Sequence, residues 1–397
     1  MKLFLIINYS FTNRDYDRFG IQFFIDNRIN VKILNLSNFD INKNLSLQVI
    51  NTNKIRVLKF SDQEEFLSFS DNFKDSFIID LRIDNLNSFF PLIWFQNQGG
   101  RLIKIEGNIL PGIYASKIHK LYNLLFKDPI SSTIPNKKDV IKRIGKVLKD
   151  KFVKKNSVNY DILIKTGEHK NFTKAKYIIR SHSLDFDHYL SVIKSNKKQE
   201  VFINEKIIFI DTGMCGHLPD TYLHVQGPYT YCTPAYYYPA MNRFFEKIES
   251  FFNDKIAICL HPKLIDADLV SKNYKNRKIL KNVTSQAIQN CNLVISHNST
   301  AISFAVLWNK PLLLVSTNES ENSDHIGLYY LKKSLNIECF NVDRLKKNIK
   351  WDYESKKALN NYKIYKDKFI KTLNSPEVNS WKIFLDSIKD IYNLKNI

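Results

Sequence analysis

The stretch NLVISHNSTAISFAVLWNKPLLLVS, residues 292–316, decides the fold of this chain. Leu293-Val294-Ile295 and Leu312-Leu313-Leu314-Val315 are short apolar runs bounded by polar residues, and both read as buried parallel strands. Between them the pattern predicts a helix opened by Ser299-Thr300 and stopped at Lys310-Pro311. A third run, Ile256-Ala257-Ile258-Cys259-Leu260, ends in His261-Pro262 and predicts another strand of the same kind.

A helix that starts just past the carboxyl end of a parallel strand points unpaired N–H groups, and the positive end of its dipole, into the crevice where such sheets bind ligands. Ser299 and Thr300 add hydroxyl donors there, and His261 supplies a donor or a positive charge from the side. The expected ligand is the phosphate of a nucleotide. Each feature has a plainer reading, because Ser and Thr cap helices whether or not anything binds, and His-Pro often only marks a turn. Their occurrence in this order, each at a strand end, favours the phosphate.

At 397 residues the chain exceeds one ordinary core, and an apolar fraction of 44% with 13% aromatic residues is ample for a packed interior. The formal charge of +20 invites a nucleic-acid reading. The excess is mostly Lys scattered along the chain among many Asn and Ile, however, and no helix-turn-helix, zinc-finger or aromatic RNA-binding signature accompanies it. Nucleic acid is therefore not an expected partner, whereas an anionic membrane surface is a second use for the charge. Cys215, Cys232, Cys259, Cys291 and Cys339 are an odd count without CxxC spacing, which fits buried thiols in a reducing cytoplasm.

The first ten residues carry an apolar run of only about five before Asn8, short of a signal-peptide core of about 7 to 15, and read as a first strand. No run approaches the roughly 20 apolar residues of a membrane span. Further strands are expected at Val31 to Leu34, Arg56 to Phe60, Ser76 to Leu81, Leu102 to Ile105, Tyr160 to Ile164, Lys176 to Ile179 and Lys206 to Ile210, with a helix over Asp62 to Phe73. Alternation of this kind implies α/β architecture with parallel sheets. Asn136 to Lys155 reads as a Lys-rich amphipathic helix, and Lys194 to Gln199 as a linker. Tyr229 to Tyr238 reads as a tyrosine-rich turn ahead of a helix over Asn242 to Phe252, and two helical segments, Tyr353 to Thr372 and Asn379 to Leu394, close the chain.

Taken together, His261-Pro262 and Ser296-His297-Asn298-Ser299-Thr300 resemble the HP and ST motifs of bacterial sialyltransferase-like glycosyltransferases and of related surface-polysaccharide (capsule, lipopolysaccharide) enzymes. SLDFDHYL, residues 183–190, and IFIDTGMCGHLPD, residues 208–220, look like pieces of the same group. The resemblance covers roughly Ser181 to Ser316 and implies a GT-B fold, two Rossmann-like domains with parallel sheets facing a central cleft. It implies an N-terminal acceptor-binding domain over 1–198, a C-terminal nucleotide-sugar-binding domain over 199–375, and a helix over 376–397 packing back on the first domain. His261, Pro262, Ser296, Ser299 and Thr300 are the donor-binding residues it implies.

The family's acid-acid-Gly motif falls on Asp211-Thr212-Gly213, where only the first acid is present. An acceptor hydroxyl needs a base to take its proton in the transition state, and Asp211 leads the candidates, with Asp185 next and Asp187 and Glu168 in reserve. In a retaining enzyme the same carboxylate would act as nucleophile. No metal and no cofactor is expected, since the helix terminus, His261 and the hydroxyls can balance a departing phosphate. The activity implied is transfer of an acidic nonulosonic-type sugar from a CMP donor to a surface glycan or glycolipid, in the cytoplasm or on the inner face of the membrane. A CDP-glycerol-type polyol-phosphate transferase and an inactive nucleotide- or glycan-binding scaffold remain as alternatives.

Overall fold

The computed structural model describes residues 1–9, 11–37, 55–69, 71–82, 89–107, 109–111, 158–169, 173–194, 204–218 and 230–394. The Lys-rich segment 136–155 and most of the linker segment 194–199 lie outside these residues.

Two wholly parallel sheets organise the chain. The first contains β1 (Lys2–Ile7), β2 (Asn30–Asn35), β3 (Val57–Lys59), β4 (Phe77–Asp80), β5 (Arg101–Glu106), β6 (Tyr160–Thr166) and β7 (Ala175–Ser181), in the order β3-β2-β1-β4-β5-β6-β7. The second contains β8 (Ile207–Ile210), β9 (Ile256–Cys259), β10 (Ile279–Leu280), β11 (Leu293–Ser296), β12 (Leu312–Ser316) and β13 (Cys339–Asn341), in the order β10-β9-β8-β11-β12-β13. β4, β8, β9, β11 and β12 are buried at every residue, as expected of strands covered on both faces. This is the α/β architecture that the alternating pattern predicts. The two-residue β10 and three-residue β13 are edge strands that their sequences do not announce.

Each sheet reverses its winding once. The chain runs outward from β1 through β2 to β3 and then resumes beside β1 at β4; in the same way it runs from β8 to β10 and resumes beside β8 at β11. Loops leaving the two strands at such a reversal diverge to opposite faces and leave a crevice at their carboxyl ends. The crevice of the second sheet therefore lies beyond Ile210 and Ser296, which are direct register partners.

Two helices cross between the halves. Leu184–Lys194, which sequence reading groups with the first domain, buries Phe186 and Leu190 in one cluster with Ile208, Val294 and Phe304 of the second half. Its apolar stripe faces the second sheet, so the chain changes partners just after β7. The last helix, Ser380–Tyr392, returns the other way and packs Trp381, Phe384 and Ile388 with Leu5, Phe24 and Ile79 under the first sheet. Gly20 makes that docking possible: its φ is +62°, and a Cβ there would lie 2.3 Å from the Trp381 ring.

The tyrosine-rich stretch differs from its turn reading. The helix begins at Pro234 and continues through Pro239 to Phe252, with Tyr237 and Tyr238 buried on its inner face. Pro234 sits in the first turn, where a missing N–H costs nothing, and the burial of both tyrosines against Phe209 and Tyr274 outweighs the break at Pro239. Asn also has a use that composition alone does not reveal. Seven of the ten described non-glycine residues with positive φ are Asn, among them Asn253, Asn336 and Asn393 at helix ends, positions that glycine often fills.

Candidate functional site

The carboxyl ends of β9, β8 and β11, neighbours in the sheet, bring together the loops that carry His261, Asp211 and Ser299-Thr300. His261 is half-buried, and its Nδ1 accepts a 3.2 Å hydrogen bond from the Lys263 amide. An amide can only donate, so the neutral ring carries its proton on Nε2, the arrangement that lets the ring donate to a phosphate oxygen. Pro262 is exposed. Lys263 from the same loop lies 5.0 Å from the ring centre of Tyr9, just past β1, so this loop faces the first half of the molecule.

The turn after β11 separates what the motif reading grouped. Ser296 is fully buried and its hydroxyl donates 2.8 Å to the carbonyl of His297. His297 is also fully buried: Nδ1 donates to the Val315 carbonyl at 2.8 Å and Nε2 accepts from the Tyr237 hydroxyl at 2.9 Å. Burial pushes its pKa down to about 4 against the opposing bond to Val315, so it is neutral and structural. Ser299 and Thr300 reach the surface in part, Ser299 accepting from the Ala301 amide at 3.2 Å and Thr300 lying exposed.

The helix itself spans only Ile302–Leu307, shorter than the predicted run from Ser299. A six-residue helix sums few peptide dipoles, so its terminus contributes less to an anion than the sequence pattern implies. What fixes the turn is Asn298, whose Nδ2 donates 2.7 Å to Asp324 Oδ2 at a kink in the helix Asn318–Leu335. Gly327 closes this contact, because a Cβ there would lie 2.1 Å from the Asn298 amide nitrogen.

The nominated carboxylates occupy four distinct settings. Asp211 is 3% exposed; Oδ1 accepts from the Gly213 amide at 2.8 Å, and Oδ2 is fully buried. Burial pushes its pKa up to about 6, opposed by the Gly213 amide and by the Tyr274 hydroxyl. It shares the face of β8 that carries Ile207 and Phe209, beneath the buried tyrosines, rather than the open crevice. Asp185 Oδ2 accepts 2.7 Å from the Ser303 hydroxyl, and Arg18 stands 3.8 Å from Oδ1. Asp187 accepts from His182 Nε2 at 2.9 Å and from both the amide and the hydroxyl of Ser380. Glu168 accepts from the Leu373 amide at 3.1 Å. Asp185 does share a narrow crevice with Thr300 and Ser303, so the structure joins two residues that lie more than a hundred positions apart.

A pair absent from the sequence reading stands at the same edge. His217, six residues past Asp211, has Nδ1 2.9 Å from Asp266 Oδ2, and its own amide donates 3.1 Å to Asp266 Oδ1. Asp266 precedes the helix Ala267–Lys272, and the Ile265 amide donates back to the His217 carbonyl at 3.1 Å. The carboxylate can only accept, so the shared proton sits on Nδ1 and the lone pair on Nε2, the orientation of a base. The two residues lie 49 positions apart, and no local pattern in the sequence announces the pair. Among the described residues, no group of three His, Cys, Asp or Glu side chains is arranged to hold a metal ion.

No protein-family model and no curated protein sequence matches the chain. Among solved structures it is similar to the wall teichoic acid polymerase TagF, at 11% identity and TM-score 0.54 over 100% of this chain and 90% of that one. A TagF variant soaked with CDPG matches at 10% identity and TM-score 0.52, again over 100% and 90% of the two chains. MurG from Acinetobacter baumannii, at 7% identity over 98% and 99%, has a TM-score of 0.46 and adds no weight. At such identities the likeness is one of fold. The fold is thereby of the GT-B kind, α/β with two parallel sheets.

Proposed function

We propose that the protein is a metal-independent glycosyltransferase that moves an acidic sugar of the nonulosonic type from a CMP donor to a bacterial surface glycan. The observation that carries this reading is the placement of His261 and the Ser299-Thr300 turn after β9 and β11, on either side of β8, at the reversal of the second sheet. His261 donates through Nε2 to the donor phosphate, and the Ser299 and Thr300 hydroxyls bind its other oxygens. Pro262 holds the histidine loop.

The proton of the acceptor hydroxyl goes to His217 Nε2, with Asp266 orienting the ring and stabilising the charge that forms. Asp211 then has a positioning part, holding the turn at Gly213 from which the His217 loop departs. No described helix is long and apolar enough to cross a membrane, and the surplus of Lys suits peripheral attachment to an anionic inner leaflet.

The test is calorimetric titration of CMP, CDP, UDP and GDP into the protein and into a His261→Ala, Ser299→Ala variant. Selective CMP binding that is lost in the variant supports the reading; failure of every nucleotide to bind overturns it in favour of an inactive scaffold. A second reading, polyol-phosphate transfer from a CDP-activated donor, draws support from the likeness to TagF, a wall teichoic acid polymerase studied with CDPG. Analysis of the product separates the two, since the first forms a bond to carbon and the second a bond to phosphorus.

A further inference from the structure

We propose that a cavity at the carboxyl edge of the first sheet holds a neutral sugar ring, and that His182 reads one of its hydroxyls through Nδ1. That this sugar belongs to the acceptor rests on the transferase reading above; the site itself does not. The cavity has a volume of about 280 Å³, beside the reversal between β1 and β4. Ligand pockets for drug-sized molecules run to about 300–1,000 Å³, so this one suits roughly a single monosaccharide.

Among the described residues of its wall, the polar side chains are engaged within the protein, with one exception. Arg82 Nε lies 2.9 Å from Asp80 Oδ1, Lys104 Nζ lies 3.6 Å from Asp80 Oδ2, and Arg18 stands 3.8 Å from Asp185. The Thr166 hydroxyl donates 3.0 Å to the Glu106 carbonyl, and Trp381 Nε1 donates 3.0 Å to the Arg18 carbonyl. Ser380 gives both its amide and its hydroxyl to Asp187. The cations of the wall are thus met by carboxylates of the chain itself, and charge is not what selects the ligand. The exception is His182, which is 1% exposed and whose Nδ1 is buried without a hydrogen-bond partner.

The surrounding contacts fix that atom as an acceptor. His182 Nε2 is 2.9 Å from Asp187 Oδ1, and a carboxylate that already takes both Ser380 donors can only accept. In the neutral ring the proton therefore sits on Nε2, which leaves the lone pair on Nδ1. The ring packs on Phe186 with centroids 4.7 Å apart, and the His182 backbone is bridged to Lys371, so packing and hydrogen bonding together hold its orientation. A buried acceptor without a partner is unfavourable, and a hydroxyl entering the cavity is the natural donor to it. A lone water, whose share of liquid volume is about 30 Å³, would meet the acceptor without filling the space. Phe19, Ile105, Leu184 and Trp381 add apolar wall. A sugar ring joins the two requirements, because its hydroxyls donate while its C–H faces pack on apolar side chains.

Titration of the full chain with glucose, galactose and N-acetylglucosamine, followed by tryptophan fluorescence and by nitrogen NMR of the His182 ring, tests this. At least one of the three is expected to bind and to move the His182 Nδ1 signal; binding of only one identifies the sugar. For a sugar that binds, the deoxy analogue lacking the recognised hydroxyl should bind about two- to tenfold more weakly. In His182→Phe, which keeps a ring and removes the acceptor, that difference should vanish. Binding of no sugar, binding that leaves the Nδ1 signal in place, no loss with any deoxy analogue, or a loss that persists in His182→Phe would overturn the proposal. Should His182→Phe unfold, the nitrogen signal and the deoxy series on the native chain decide. CMP titrations on the same samples keep the two readings apart: CMP binding without sugar binding sinks the cavity alone, and sugar binding without CMP binding sinks the transferase alone.

Discussion

The Ser303 hydroxyl donates a 2.7 Å hydrogen bond to Asp185 Oδ2, tying the short helix after β11 to the helix that leaves the first sheet. Arg18, from the first half, stands 3.8 Å from the other carboxylate oxygen. One side chain thus bridges the two halves next to the crevice that holds Thr300. Asp185→Ala is expected to lower stability by about 1–3 kcal/mol, and Asp185→Asn by less, because the amide oxygen can still accept from Ser303. Urea denaturation checks the order. Full stability of Asp185→Asn with abolished turnover would instead return Asp185 to the catalytic role suggested by its sequence.

Gly20 and Trp381 make a second tie. The Trp381 Nε1 donates 3.0 Å to the Arg18 carbonyl, and its ring fills the space a Gly20 side chain would need. Trp381→Ala should cost about 3–5 kcal/mol, since a large buried ring is lost. Gly20→Ala should cost about 1–3 kcal/mol through overpacking and left-handed strain. In the double variant the two costs should add to less than their total, because the cavity relieves the clash; strict additivity in denaturant melts would refute the contact.

His217→Ala is expected to reduce turnover by about 10²–10⁴-fold with CMP affinity unchanged, as for loss of a proton acceptor that does not touch the donor phosphate. Asp266→Asn should cost less, since the amide oxygen can still accept from His217 Nδ1 and hold the ring in place. A variant lacking His217 that turns over normally would remove the dyad from the mechanism.

Asp211 and His297 oppose each other in the dependence of stability on pH. The Asp211 carboxyl titrates near 6 when folded, above its ordinary value of 3.8, so the folded state binds the extra proton between those values and this contribution to stability falls as pH rises through them. His297 titrates near 4 when folded against an ordinary 6.5, so the unfolded state binds the extra proton and this contribution is lost as pH falls from about 6.5 to 4. Each is worth about 3 kcal/mol at 1.36 kcal/mol per pKa unit, and in the native chain they largely cancel. Asp211→Asn should therefore be more stable than the parent at pH 7 and should lose stability more steeply on acidification. Thermal melts from pH 4 to 7.5 that run parallel for both proteins would contradict this.

Much of the architecture was legible in the chain itself. The runs at Leu3 to Ile7, Ile256 to Leu260, Leu293 to Ile295 and Leu312 to Val315 all form buried parallel strands, because apolar residues covered on both faces leave an uninterrupted local pattern. The edge strands β10 and β13 were not legible, being two and three residues long and held by register to their neighbours. Nor was the helix over Pro234 to Phe252, where proline and tyrosine speak for a turn until their burial against Phe209 and Tyr274 is counted.

By itself the sequence determined the alternation of strands and helices and the positions of His261 and Ser299-Thr300 at strand ends, since these depend on residues near one another in the chain. Tertiary structure alone decided which polar groups stand in the open. It buried Ser296 and His297 at the end of β11, turned Asp211 toward the tyrosines, joined Asp185 to Ser303, and brought His217 to Asp266 across 49 positions. The physical reason is that a polar side chain must find its partner once it leaves water, and which partner it meets is set by the order and register of strands that no local pattern contains.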